Sequence, residues 1–155
     1  MKTIRASICV VVLGGLLGGA PVRAEDSRTR DLCDAAENPI GSVNTWREFY
    51  AYFKTYYGCD NGAIAEGISD KVEQLMTHDW ASLSSVTAKL RSDKAFRTLL
   101  LNHIDETWSS EDIEIARQNA ASHCPQGLDA FCKTVVSTVA DVEKYSAEDA
   151  AKDSK

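Results

Sequence analysis

Residues 45–58 read TWREFYAYFKTYYG, and this stretch decides the fold class. Thr45 and Glu48 stand at the T-x-x-E spacing of a capping box, in which the Thr hydroxyl and the Glu carboxylate take up amides that a helix start leaves free. Behind them Trp46, Phe49, Tyr50, Phe53, Tyr56 and Tyr57 recur at steps of three and four, the signature of a helix with one apolar stripe. Gly58 supplies a left-handed stop. A helix is therefore expected from Trp46 to about Tyr57, with the aromatic stripe serving as core rather than as a ligand lining or stacking platform.

The same period runs outward in both directions. Asp60 is placed to cap a second helix in which Ala63, Ile64, Ile68, Val72, Leu75 and Met76 line one side while Glu66, Asp70, Lys71 and Glu73 decorate the other. Gly67 inside that helix costs about 1 kcal/mol relative to Ala, so something, most simply another helix, is expected to approach closely there. Leu83, Val86 and Leu90 mark a short helix after Trp80. Asp93 caps the next, which carries Phe96, Leu99, Leu100, His103 and Ile104. Ser109 or Ser110 starts a further helix with Glu111 and Asp112 in its first turn, as the helix dipole favours, and Pro125 ends it near Cys124. Phe131, Cys132, Val135, Val139 and Val142 define the last long helix. No period-two strand pattern persists, so the expected fold is all-α: one domain of five or six helices. Residues 25–37 form a short leader helix at best, and residues 146–155 a frayed or disordered tail.

The N-terminus carries a different message. Met1 to Arg5 is a short basic start, the chain is apolar from Ala6 to Ala20, and Val22 and Ala24 occupy the positions that a signal peptidase reads. An apolar run of about 15 residues falls short of the roughly 20 that span a bilayer. Residues 1–24 are therefore expected to be a cleaved signal peptide, leaving residues 25–145 as an exported helical domain, with the periplasm as its expected compartment. Cleavage takes three cations and no acid from the 17 basic and 23 acidic residues, so the formal charge moves from −6 to about −9. Such a surface repels nucleic acid and anionic membranes and favours a basic protein partner.

Cys33, Cys59, Cys124 and Cys132 remain after cleavage. Four cysteines in an oxidising compartment imply two disulfides, and their spacing fits neither a CxxC redox motif nor a zinc knuckle. Pairing Cys59 with Cys124 and Cys33 with Cys132, which would staple early helices to late ones, is the favoured connectivity of the three possible.

Catalytic chemistry is hard to place. The segment Gly67-Ile68-Ser69-Asp70-Lys71 lacks the second Gly of a nucleophile elbow and lies in mid-helix. His78, His103 and His123 show no zinc-binding spacing, and His103 reads as a helix-end residue near the negative pole of its dipole. Glu66 and Asp70 stand one turn apart, but at this acid content they read as a solvated face. No catalytic residue, metal or cofactor is expected. The exposed-surface candidate is the connection holding Asp105, Glu106, Trp108, Glu111 and Asp112, where acids around a central aromatic would suit a basic partner. Trp108 folding back over the core is the competing reading.

The segments CDNGAIAEGISDKVEQLMTHDW (residues 59–80) and SDKAFRTLLLNHIDET (residues 92–107), closed by Cys124 and Pro125, resemble small exported bacterial proteins similar to the Rap and Tai immunity proteins of type VI secretion. The resemblance covers roughly residues 43–125. It implies a periplasmic, disulfide-containing, all-helical and often homodimeric inhibitor that plugs the active-site cleft of a peptidoglycan amidase effector, without enzymatic activity of its own. The alternatives are a small helical carrier of an apolar ligand, or an envelope accessory protein.

Overall fold

The capping box forms as the sequence demands. In the computed structural model, which describes residues 23–153, Glu48 N–H donates to Thr45 Oγ1 at 3.3 Å while Glu48 Oε2 accepts from the amides of Thr45 and Asn44 at 3.1 and 2.9 Å. Those two amides and the Thr45 side chain hold the Glu48 carboxyl below its ordinary pKa. The helix they start, α3 (Trp46–Tyr56), is the third of the chain. Before it come α1 (Arg23–Asp34) and the single turn α2 (Glu37–Ile40). After it come α4 (Gly62–His78), a 3-10 segment (Trp80–Val86), α5 (Thr87–Ser92), α6 (Lys94–Asn102), α7 (Ser110–Ser122) and α8 (Asp129–Asp153). The described residues contain no strand, and the all-α reading holds with seven helices of six residues or more. The expected signal segment lies outside the described residues apart from Arg23 and Ala24, where α1 begins.

Aromatic packing fixes where α3 lies. Phe49, Tyr50 and Phe53 close on Phe96 of α6 with ring centroids 6.0, 4.9 and 5.2 Å apart. Trp46, Phe49 and Phe53 are buried, but the stripe is broader than its spacing suggests. Tyr52 is buried too and donates its hydroxyl to Ala36 O at 3.1 Å, tying α3 to the α1–α2 turn. Burial, reinforced by Tyr56 and Asp60, pushes the Tyr52 phenol up to about 12. Tyr57, expected in the stripe, lies past the helix end and is 66% exposed. Gly58 follows at φ +97°, the left-handed stop.

Helix α4 packs against α2, α7 and the 3-10 segment, and α7 and α8 form a helical hairpin that α6 also touches. Carbonyls near the C-terminal end of α4 receive donors from two neighbours: Asn119 Nδ2 reaches Met76 O at 2.9 Å, and Trp46 Nε1 reaches Asp79 O at 3.0 Å. Two side chains from other helices thereby satisfy groups that a helix end leaves unpaired. Trp80 Nε1 similarly donates to His123 O at 2.9 Å, clamping the 3-10 segment to the end of α7.

Three expectations change. Asp60 does not cap α4; Asn61 occupies the N-cap position without a side-chain bond, and Asp60 turns toward His103 instead. The short helix after Trp80 tightens into a 3-10 segment before α5. The cysteines pair as Cys33–Cys59 and Cys124–Cys132, not between early and late helices. The reason is local geometry: the end of α1 meets the approach to α4, and the α7–α8 turn brings its own two ends together. The tail from Ser146 continues α8 to Asp153, rich in good helix formers and carrying Lys144–Glu148 and Lys152–Asp149 pairs, although every side chain described there is exposed.

Candidate partner-binding surface

The connection between α6 and α7 alternates anchors with acids. His103, Ile104 and Trp108 point inward and are buried, while Glu106, Thr107, Ser109 and Glu111 face solvent and Asp105 and Asp112 are half-buried. Asp105 Oδ1 accepts from the amide and hydroxyl of Thr107 at 2.9 and 2.6 Å, and Trp108 N–H donates to Asp105 O at 3.3 Å. Ser109 then caps α7, its Oγ accepting from Asp112 N–H at 3.1 Å and donating to Asp112 Oδ2 at 2.5 Å. These local bonds make the connection a turn of fixed shape.

Trp108 does not serve as an exposed hot spot. It is 5% exposed, and its Nε1 meets no acceptor among the described residues, so the competing reading of a ring folded over the core is correct. The acids remain as the surface feature. Glu73 of α4 lies against Asp112, with Asp70 one turn away, and its carboxyl is raised above the usual range by burial first and by these two carboxylates next, the Ser109 amide acting in the opposite sense. Among the described residues no Lys or Arg forms an ion pair with Asp70, Glu73, Asp105, Glu106, Glu111 or Asp112. The result is an acidic face shared by α4 and the α6–α7 connection, in which the Glu73 carboxyl resists ionisation.

Spacing did not reveal how that connection is held to α4. Ser69 Oγ lies 2.7 Å from His103 Nδ1 and 3.4 Å from Asp105 Oδ2. His103 Nε2 lies 3.2 Å from Asp60 Oδ1 but off the line that a hydrogen bond requires. A serine, a histidine and a carboxylate therefore stand in sequence, as in a nucleophile–base–acid chain. Nucleophilic chemistry also draws on donors for a developing oxyanion, commonly backbone amides beside the nucleophile. Ser69 sits in the middle of α4, where helical bonding consumes the backbone amides. The arrangement is a polar clamp between α4 and the connection. Only the stripe Glu66, Asp70, Glu73, at helical spacing, could have signalled from sequence that α4 contributes to this face.

His78 and His123 are exposed at helix ends, and the described residues contain no group of three His, Cys, Asp or Glu side chains suited to a metal. No described helix is long and apolar enough to cross a membrane. The fold and its bridges define a disulfide-bonded all-α protein. No protein-family model matches the chain, and no curated protein or solved structure is significantly similar to it.

Proposed function

We propose that the chain is an exported, non-enzymatic inhibitor of the immunity-protein kind, which binds a basic cell-wall-degrading effector of the amidase type and occludes its cleft. The observation that carries this reading is the Glu73–Asp112 contact within an acidic face whose carboxylates form no ion pair with Lys or Arg among the described residues. A cationic partner group placed there would relieve existing repulsion as well as gain attraction, so partner binding is favoured over neutral surfaces. The clamped, hydrogen-bonded connection adds preorganisation, which lowers the entropy cost of docking. Two disulfides fit the oxidising compartment that the N-terminal pattern implies. The resemblance of residues 59–80 and 92–107 to Rap and Tai proteins supplies the effector class.

The test is competition between sibling strains. Cells lacking the gene should be killed by effector-bearing neighbours, and Glu73→Lys with Asp112→Lys should fail to restore protection while the wild-type gene restores it. Full fitness of the deletion strain in that competition would sink the proposal.

A further inference from the structure

A concave site lies on other elements, and its chemistry has the opposite sign to the acidic face. A cavity of about 400 Å³ opens between α5, α6 and the start of α8. Its apolar wall is formed by Leu90, Leu101, Leu128 and Phe131. Arg91 and Arg97 stand on its rim, and none of its lining residues is acidic. In a chain with 23 acidic residues this is an unexpected place for two guanidinium groups. Neither forms an ion pair among the described residues. Arg97 is half-buried and pinned, donating from Nη1 to Leu90 O at 2.5 Å, which leaves its other donors free to act in a fixed orientation.

The remaining wall is braced covalently. Gly127, at φ +82°, and Leu128 sit inside the loop closed by Cys124–Cys132, and Arg91 reaches over that loop, with Nη1 4.0 Å from where a Gly127 Cβ would stand. Ala130 and Phe131 line the cavity from the first turn of α8, whose amides have no helical acceptor. Asp129 belongs to the same turn but is exposed and does not line this cavity. The size falls within the range of small-molecule sites, which combine apolar walls with a few placed polar groups.

We propose that this cavity binds a small organic carboxylate with an apolar body, the carboxylate held by Arg91 and Arg97 and the body lying against Leu90, Leu101, Leu128 and Phe131. Guanidinium groups match carboxylates in shape and charge, and the apolar wall distinguishes such a ligand from inorganic anions. A peptide is disfavoured as occupant, because apart from the arginines Thr134 is the only polar side chain that the lining offers to a peptide backbone.

Octanoate is the probe, titrated into the disulfide-intact mature protein by calorimetry and by amide chemical shifts, with octanol and acetate as its two halves. Octanoate should bind with a Kd of roughly 0.1–1 mM, as expected for so few heavy atoms. Octanol and acetate should each bind at least about tenfold more weakly. Arg91→Gln should weaken octanoate by about tenfold or more without changing octanol binding, as loss of a charge-assisted contact predicts, while Arg47→Gln on α3 leaves both unchanged. Thr134→Glu, on the exposed face of α8, should repel octanoate in the same way, so the outcome does not depend on one variant folding. The proposal is overturned if octanol or acetate equals octanoate, if both cavity variants bind octanoate normally, or if shifts at the lining residues stay unmoved. It is also overturned if a short peptide with an apolar last residue and free carboxylate binds more tightly than octanoate.

Discussion

A Cβ at position 67 would stand 3.1 Å from Cγ2 of Ile40, so α4 and α2 meet through a glycine. Gly67 costs helix propensity, yet the contact is too close for any side chain without displacement of Ile40, which is itself buried. Gly67→Ala should therefore destabilise by about 0.5–1 kcal/mol instead of giving the roughly 1 kcal/mol that propensity alone would add. In an Ile40→Ala background the sign should reverse, and chemical denaturation of the four-member cycle measures it. Independent, additive effects would contradict the contact.

That close approach is legible in the sequence, because a glycine interrupting an otherwise strong helical period gives up propensity that only tight packing makes worthwhile. The all-α class is legible for a related reason: the capping box at Thr45 and Glu48, the cap at Asp93 and the stop at Gly58 are local, and local bonding decides them. What failed was the contact between elements. The cysteine pairing depends on which helix ends meet, and periodicity carries no information about that. Asp60 has the right residue type for a cap, but the approach of His103, 43 positions later in the chain, draws it away. The candidate surface was half legible. Its acids follow from composition, whereas the burial of Trp108 and the contribution of Glu73 depend on how α7 lies against α4.

Trp108 fills core volume without a hydrogen bond for its indole N–H. Trp108→Ala should cost about 3–5 kcal/mol through the cavity it leaves. Trp108→Phe should cost less than half of that, because it removes an unpaired buried donor along with some volume. Thermal unfolding of the two variants decides this. A Phe variant as unstable as the Ala variant would imply an acceptor for Nε1.

Asp93 joins α6 to α3, capping α6 through Phe96 N–H at 3.1 Å and accepting from Tyr50 Oη at 3.2 Å and Lys54 Nζ at 3.4 Å, both on α3. Burial pushes its carboxyl up, but the Phe96 amide, the Lys54 ammonium and the Tyr50 hydroxyl outweigh it, and the pKa falls below the usual value. A depressed carboxylate contributes stability above its unfolded pKa and loses it as pH falls through the folded one. Asp93→Ala should therefore cost about 1 kcal/mol near neutral pH and progressively less in acid. Asp93→Asn, which keeps a capping oxygen, should cost less at neutral pH. Denaturant midpoints measured across the acid range test both statements.

Glu73 runs the other way. Its raised carboxyl favours the folded state below the usual glutamate range, and that contribution is lost as pH rises through the raised value. Near neutral pH the native state holds Glu73, Asp112 and Asp70 together against their repulsion. Glu73→Gln should accordingly raise the melting temperature at neutral pH and have little effect where all three acids are protonated. The group is largely solvated, so the gain should be only a few tenths of a kcal/mol, larger at low salt than at high. A loss of stability at neutral pH would show that the carboxylate makes a favourable contact instead.

The two disulfides should differ in what they protect as well as in how much. Cys33–Cys59 spans 26 residues of sequence and Cys124–Cys132 spans 8. Loop-closure entropy alone assigns about 3.5 kcal/mol to the first and about 2.5 kcal/mol to the second. Replacing Cys33 and Cys59 together by Ala should release α1 and loosen α2, which packs on α3 and α4, and hydrogen exchange should rise there first. Replacing Cys124 and Cys132 should leave those segments protected and loosen the α7–α8 turn, because Gly127 and Leu128 lose their covalent brace. If each double variant loosened the same region, the pairing or the loop argument would have to be abandoned.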